Sequence, residues 1–237
     1  MQLVVGVTNQ GNAAPSSANG PTGQVSPTAP GITTSSTADF LLNGAQASFI
    51  FDNLDGSISA WNGGASSTIE ANVAGASFTG LAIGNTSTGA AQLYAADQNS
   101  GNIDVFNSQW TMTGSFTDPN FSSFPSGYAA FNVQTLMVNG TQTLFVTYAN
   151  QATSGGIVDE FTTNGTFIKT LIDDPTGQHL NSPWGLAIAP ASWGQFGGDL
   201  LVGNNNGPGE INAYNLNGVF EGTLMLNTAQ PFAAADL

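Results

Sequence analysis

Apolar residues along this chain come in short bursts separated by Gly, Asn, Asp and Ser, and no stretch shows a helical spacing with caps. The bursts themselves recur. A pattern Gly-x-(Ile/Val)-x-x-aromatic appears as Gly56-Ser57-Ile58-Ser59-Ala60-Trp61 and as Gly101-Asn102-Ile103-Asp104-Val105-Phe106. It returns as Gly156-Ile157-Val158-Asp159-Glu160-Phe161 and as Gly209-Glu210-Ile211-Asn212-Ala213-Tyr214. The aromatics step by 45, 55 and 53 residues, a period in the range of repeat architectures.

Other segments keep register with the pattern. An apolar strand precedes each copy: Phe49-Ile50-Phe51, Leu93-Tyr94-Ala95, Leu144-Phe145-Val146 and Leu200-Leu201-Val202. Turns rich in Gly, Asn and Asp join the two, because these residues tolerate the positive φ of tight hairpins. Upstream, Gly80-Leu81-Ala82-Ile83 recurs as Gly185-Leu186-Ala187-Ile188, and a fourth apolar segment follows each motif. Each unit therefore reads as four short strands.

Strand alternation sends Ile58 and Trp61 to opposite faces, and both are apolar. A sandwich would alternate apolar with polar, whereas a sheet apolar on both faces needs like neighbours on both sides. The pattern predicts an all-β propeller of four-stranded antiparallel blades. Its repeat core is Ile58, Trp61, Ile103, Phe106, Val158, Phe161, Ile211 and Tyr214. Blades are expected near 27–75, 76–118, 119–173 and 178–226 of a single domain spanning 1–237, with partial blades at 1–26 and 227–237. Within the first partial blade, residues 2–7 read as the last strand of an earlier blade, and residues 11–31 as a long surface loop.

Composition narrows the function classes. Only 7% of residues are charged and the formal net charge is −14, with Lys169 the one basic side chain besides His179. No basic patch can form, which removes nucleic acid and anionic membrane surfaces as direct partners. A surface covered by Asn, Thr, Ser and Gly suits an acidic exterior, where carboxylates near their ordinary pKa of about 4 lose their charge. Cysteine is absent, so there is no disulfide framework and no thiol chemistry. No run of eighteen apolar residues is present, and the start Met1-Gln2-Leu3-Val4-Val5-Gly6-Val7 lacks the basic flank and long apolar core of an export signal. An exported protein would carry that signal outside this chain.

Three segments resemble a known family. They are Phe49 through Asn62; Gly114-Ser115-Phe116-Thr117-Asp118-Pro119-Asn120; and Asn181-Ser182-Pro183-Trp184-Gly185-Leu186-Ala187-Ile188-Ala189-Pro190, continued by Gly198 through Asn204. Together they are similar to uncharacterised secreted bacterial β-propeller proteins related to NHL-repeat propellers, some of which carry a C-terminal PEP-type sorting signal. The resemblance runs from about Thr28 to Leu226. It implies a six-bladed ring in the full form, export to the cell surface and no assigned activity. The chain departs from the family at both ends, where the opening and final blades are incomplete and no sorting tail follows Leu237.

Candidate chemistry is sparse. The single histidine, His179, has no Gly-x-Ser-x-Gly elbow beside it and reads as a loop residue, so no catalytic residue is assigned. Asp52, Asp97 and Asn204 follow the second strand of three repeats and form a weak oxygen-donor set for calcium, although as turn caps they would look the same. No other cofactor is implied. Trp61 and Trp184 sit at repeat positions and are expected in packing, while Trp193 lies in a loop and is the candidate exposed contact. Asn85, Asn120, Asn139 and Asn164 fit the glycan-acceptor pattern. The expected function is a non-enzymatic extracellular propeller that binds other proteins or self-assembles into a layer or filament. The alternative is a metal-dependent lactonase- or lyase-like enzyme, marked by at least three Asp, Glu or Asn side chains converging on the central channel.

Overall fold

The structure, a computed structural model, describes residues 6–8, 20–227 and 230–232. It contains four antiparallel four-stranded sheets, each with its strands side by side in chain order. The first blade is Pro21–Val25, Phe49–Asn53, Ser57–Trp61 and Thr68–Asn72; the second is Phe78–Asn85, Ala91–Asp97, Asn102–Asn107 and Met112–Phe116. The third is Ala129–Val138, Thr141–Ala149, Gly156–Thr162 and Phe167–Asp174; the fourth is Pro183–Ile188, Leu200–Asn204, Ile211–Tyr214 and Phe220–Thr223. The fold is a β-propeller.

The first strand of each sheet is its inner one. Neighbouring inner strands pack on each other from first blade to fourth; among the described residues no comparable packing joins the fourth back to the first. All four inner strands shift register at the same place, before Gly23, Leu81, Asn132 and Gly185. Space there is tight. A Cβ on Gly23 would lie 2.5 Å from the Leu81 backbone nitrogen, and one on Gly80 would lie 2.9 Å from the Asn132 Cα. Bulges and small residues let the strands converge.

This crowding explains a difference from the sequence expectation. The first blade begins at Pro21, not at residue 27, and Pro21-Thr22-Gly23-Gln24-Val25 is a strand inside the stretch read as loop. An inner strand at a crowded axis needs Gly and Thr rather than a run of large apolar residues, so it carries little strand signal. The other three sheets cover Phe78–Phe116, Ala129–Asp174 and Pro183–Thr223, the third blade ending one residue past its expected span. Of the terminal fragments, Gly6 runs beside Ala65–Ser67 through backbone bonds of 2.8 and 2.9 Å. A short hairpin pairs Met225–Asn227 with Gln230–Pro231. Residues 2–5 of the expected earlier strand lie outside the described residues.

The third-strand motif occupies equivalent places in all four blades. Trp61, Phe106, Phe161 and Tyr214 pair with Phe49, Leu93, Leu144 and Leu200 of their second strands. The two faces of each sheet then serve two interfaces. Ile50, Ile58 and Ala60 meet Leu93, Ala95 and Phe106 between the first and second blades. Tyr94, Ala96 and Ile103 meet Leu144, Val146 and Phe161 between the second and third. Phe145 and Val158 meet Leu200, Val202 and Tyr214 between the third and fourth. The Ile/Val of the motif thus faces forward and its aromatic faces backward. Six of the eight repeat-core residues are buried; Trp61 and Ile211 are half-exposed, because each looks out from an end of the arc.

Candidate functional site

A polar rank runs through the motif two residues before each aromatic, where Ser59, Asp104, Asp159 and Asn212 are all buried. These side chains share the backward face with the aromatics, as strand alternation requires. Beside them on the second strand stand Asn53, Asp97, Tyr148 and Asn204. In the first blade Asn53 Nδ2 donates within its own hairpin, to Ser57 and Ser59, whereas in the second and fourth blades these side chains hold the loop that enters the blade. Asp97 Oδ1 accepts the amide of Ser77 at 2.8 Å, and Asn204 Oδ1 accepts that of Asn181 at 2.9 Å. Asn204 and Asn212 both donate to the His179 carbonyl, at 2.9 and 2.6 Å. In these two blades the buried Asp97, Asn204 and Asn212 are bonded to amides and a carbonyl of the entering loop, which fixes where the inner strand starts.

This register corrects the calcium set. The ladder places Asn53, not Asp52, with Asp97 and Asn204: Asp52 pairs with Ile58, whereas Asp97 pairs with Asn102, one residue before Ile103. Asp52 therefore points to the forward face, and the three do not converge. Its Oδ1 accepts the Gly23 amide and the Thr22 hydroxyl. Burial pushes the Asp52 pKa up to about 6, with the bonds from Thr22 and Gly23 working against that rise. Burial, and then the charge of Asp97, likewise pushes Asp104 up to about 6. No group of three His, Cys, Asp or Glu suited to a metal occurs among the described residues.

A second acid site was not foreseen. Asp118, at the end of the second blade, is buried against Asp159 of the third, and its amide donates to Tyr148 Oη at 3.2 Å. Burial, a hydrogen bond shared with Asp118 and the Asp118 charge together hold the Asp159 carboxyl well above the usual carboxylate range. The polar position within the recurring motif, Ser/Asp/Asn after Ile/Val, is the signal that could have located this rank.

Hairpin loops of the second and third blades enclose a cleft of about 590 Å³. Hydroxyl and amide side chains, among them Ser87, Thr143, Thr163 and Asn164, line it together with the apolar Ile168, and no charged residue does. Cross-blade hydrogen bonds set its shape: Gln142 Oε1 accepts the Asn85 amide at 2.7 Å, and Asn164 Nδ2 donates to Ser87 Oγ at 2.8 Å. Two of the four glycan-acceptor matches, Asn85 and Asn164, line it, and a third, Asn139, precedes its Gly140. Asn85 and Asn164 spend their side-chain amides on protein partners, while Asn139 is an exposed hairpin residue with φ of 49°.

The remaining candidates separate clearly. Trp184 leaves the fourth blade's inner strand and donates its indole N–H to the Thr79 carbonyl of the second blade at 2.9 Å, and Asn132 of the third donates to the Trp184 carbonyl. Inner strands of three blades are thereby joined across the axial region. Trp193 is 50% exposed. Trp110 packs edge-on to Phe40, and His179 stacks on Phe220 with ring centroids 3.7 Å apart, a structural place for the one histidine.

No protein-family model matches the chain. Two uncharacterised proteins of Acanthamoeba polyphaga mimivirus are similar to it. One is 28% identical over 192 residues, covering 73% of this chain and 34% of the relative. The other is 31% identical over 171 residues, covering 65% and 38%. The chain thus spans little more than a third of the length of these curated relatives. Among solved structures, the Dos1 propeller aligns with a TM-score of 0.51 at 12% identity, over 80% of this chain and 51% of that one. A catalytically inactive virginiamycin B lyase from Staphylococcus aureus with quinupristin aligns at 0.50 and 11% identity, over 76% and 52%. At such identities the likeness shows the propeller fold alone.

Proposed function

We propose that this propeller is a non-enzymatic interaction protein of the cell exterior, exported as its bacterial resemblance implies. It presents uncharged loops and faces to other proteins and takes part in a layer, filament or larger assembly. The observation that carries this reading is the cleft between the second and third blades. It is preformed and held by cross-blade bonds. Its lining supplies donors and acceptors for a neutral partner surface. Binding through such walls depends on hydrogen bonds and apolar contact, so salt screening should leave it largely intact.

Labelled protein is therefore expected to bind isolated cell envelopes equally well in 0.1 M and 0.5 M NaCl. Thr163→Arg, which puts a long charged side chain into the cleft, should weaken that binding at least tenfold with the melting temperature little changed. Binding that disappears in salt, or that the variant leaves intact, would overturn the reading.

A further inference from the structure

Between the second and third blades lies buried negative charge that the protein itself does not neutralise. Asp118 and Asp159 are 1% and 0% exposed. Asp118 Oδ1 accepts the Asn120 amide, but Asp118 Oδ2 and both oxygens of Asp159 receive no N–H or hydroxyl donor. The other pair of neighbouring buried acids differs. There Asp97 Oδ1 takes the amides of Ser77 and Asn99 at 2.8 and 3.0 Å. Nor can the chain spare a counter-charge, since its basic side chains are Lys169 and His179. Lys169 Nζ is engaged by the Leu216 carbonyl at 2.8 Å and by Glu160 at 3.6 Å, on the face of the strand opposite Asp159. His179 is stacked on Phe220 of the fourth blade. Buried charges are paired or coordinate metals, and here a pair is not on offer.

The two carboxyls also have a way in. A cleft of about 330 Å³ opens between the turn at Phe121–Ser123 and the outer strand Phe167–Asp174. Ile157 and Thr170, the neighbours of Asp159 along and across its ladder, line this cleft and bring it alongside the pair. Asn120, Ser123 and Asp173 add further oxygens to its walls.

We propose that Asp118 and Asp159 hold a calcium ion, which enters through this cleft and clasps the second blade to the third. Asp118 Oδ2 and the two oxygens of Asp159 supply the charged ligands, and neutral oxygens of the cleft with water complete the shell. A set made wholly of oxygens suits a hard cation rather than zinc or copper. Calcium accepts six to eight oxygens in an irregular arrangement, whereas magnesium demands a near-ideal octahedron and gives up water reluctantly.

The Thr-lined cleft plays no part in this inference, whose failure would leave envelope binding untouched. The test is calorimetric titration of chelator-treated protein with calcium chloride at pH 8, where protons compete less for the carboxylates than at neutral pH. One ion per chain should bind with Kd of about 0.1–1 mM, the range of extracellular calcium modules. Calcium a hundredfold above Kd should raise the melting temperature by about 5–10 °C. Sodium chloride of equal ionic strength should not reproduce that rise, which separates the site from general screening of the net charge of −14. Asp159→Asn should weaken binding at least tenfold and abolish the calcium-dependent rise, while Asp104→Asn should keep both. Asp118→Asn provides a second variant should Asp159→Asn melt early. No binding heat up to 10 mM calcium, a magnesium response equal to that of calcium, or Asp118 and Asp159 variants that bind as wild type does would each overturn the proposal.

Discussion

Melting temperature should fall by roughly 10–25 °C as pH rises from 4 to 8, taking about 2–4 °C per kcal/mol for a chain of this size. Asp52 and Asp104 are each held near pKa 6, both chiefly by burial, against an ordinary value near 3.8 in the unfolded chain. Between those values the folded state binds protons that the unfolded state has released. Their stabilising contribution is complete below about pH 4 and is lost as pH rises through about 6. A shift of two units corresponds to about 3 kcal/mol for a buried group. Asp159, raised further by burial and by Asp118, extends the loss above pH 6. Asp174 works the other way. Burial raises its pKa, but the amides of His179, Leu180 and Gln178 outweigh that and lower it, so its contribution is lost as pH falls through the acid range. The optimum should therefore lie near pH 4. Scanning calorimetry checks this, and Asp104→Asn with Asp159→Asn should flatten the profile by removing the proton demand. A melting temperature that rises toward pH 8 would contradict it. An acid optimum would fit the acidic exterior suggested by composition.

Removal of one backward aromatic should be the most damaging single truncation. Phe161→Ala is expected to cost about 3–5 kcal/mol, the range for emptying a rigid core site around a large ring. Phe161 is fully buried, with Phe116 at 4.9 Å and Phe167 at 5.5 Å between ring centroids. Few side chains could move to fill the void. Ile211→Ala, at the equivalent forward position of the last blade, should cost only about 1 kcal/mol, since that side is partly solvated and offers less area to lose. Urea midpoints of the two variants measure the contrast. Equal losses would mean that Ile211 is as enclosed as its counterparts.

The third strand was legible because being apolar on both faces is unusual and survives every change in loop length. Other parts were hidden by those loops. Between the Phe49 and Trp61 partners lies one residue fewer than between Leu93 and Phe106. Counting back from Ile58 and Ile103 therefore equates Asp52 with Asp97, while the ladder puts them on opposite faces, as a one-residue slip in a period of two must. Pro21–Val25 was missed because convergence on the axis selects small residues. The cleft unites Ser87 with Asn164, residues far apart in sequence that only blade stacking brings together. The Asp118–Asp159 contact likewise crosses a blade boundary. Its half in the motif was visible as a recurring polar position, and its loop half had no pattern to follow.

Radial stacking is most directly tested by a double-mutant cycle on unfolding free energy. Ile103 and Phe161 lie in adjacent blades and share one core cluster, whereas Ile103 and Phe106 share a strand but face opposite clusters. The Ile103→Ala and Phe161→Ala losses should couple by about 0.5 kcal/mol or more, as packed neighbours do, and those of Ile103→Ala and Phe106→Ala should add. Coupling confined to the same-strand pair, with none between blades, would contradict the propeller packing on which the rest depends.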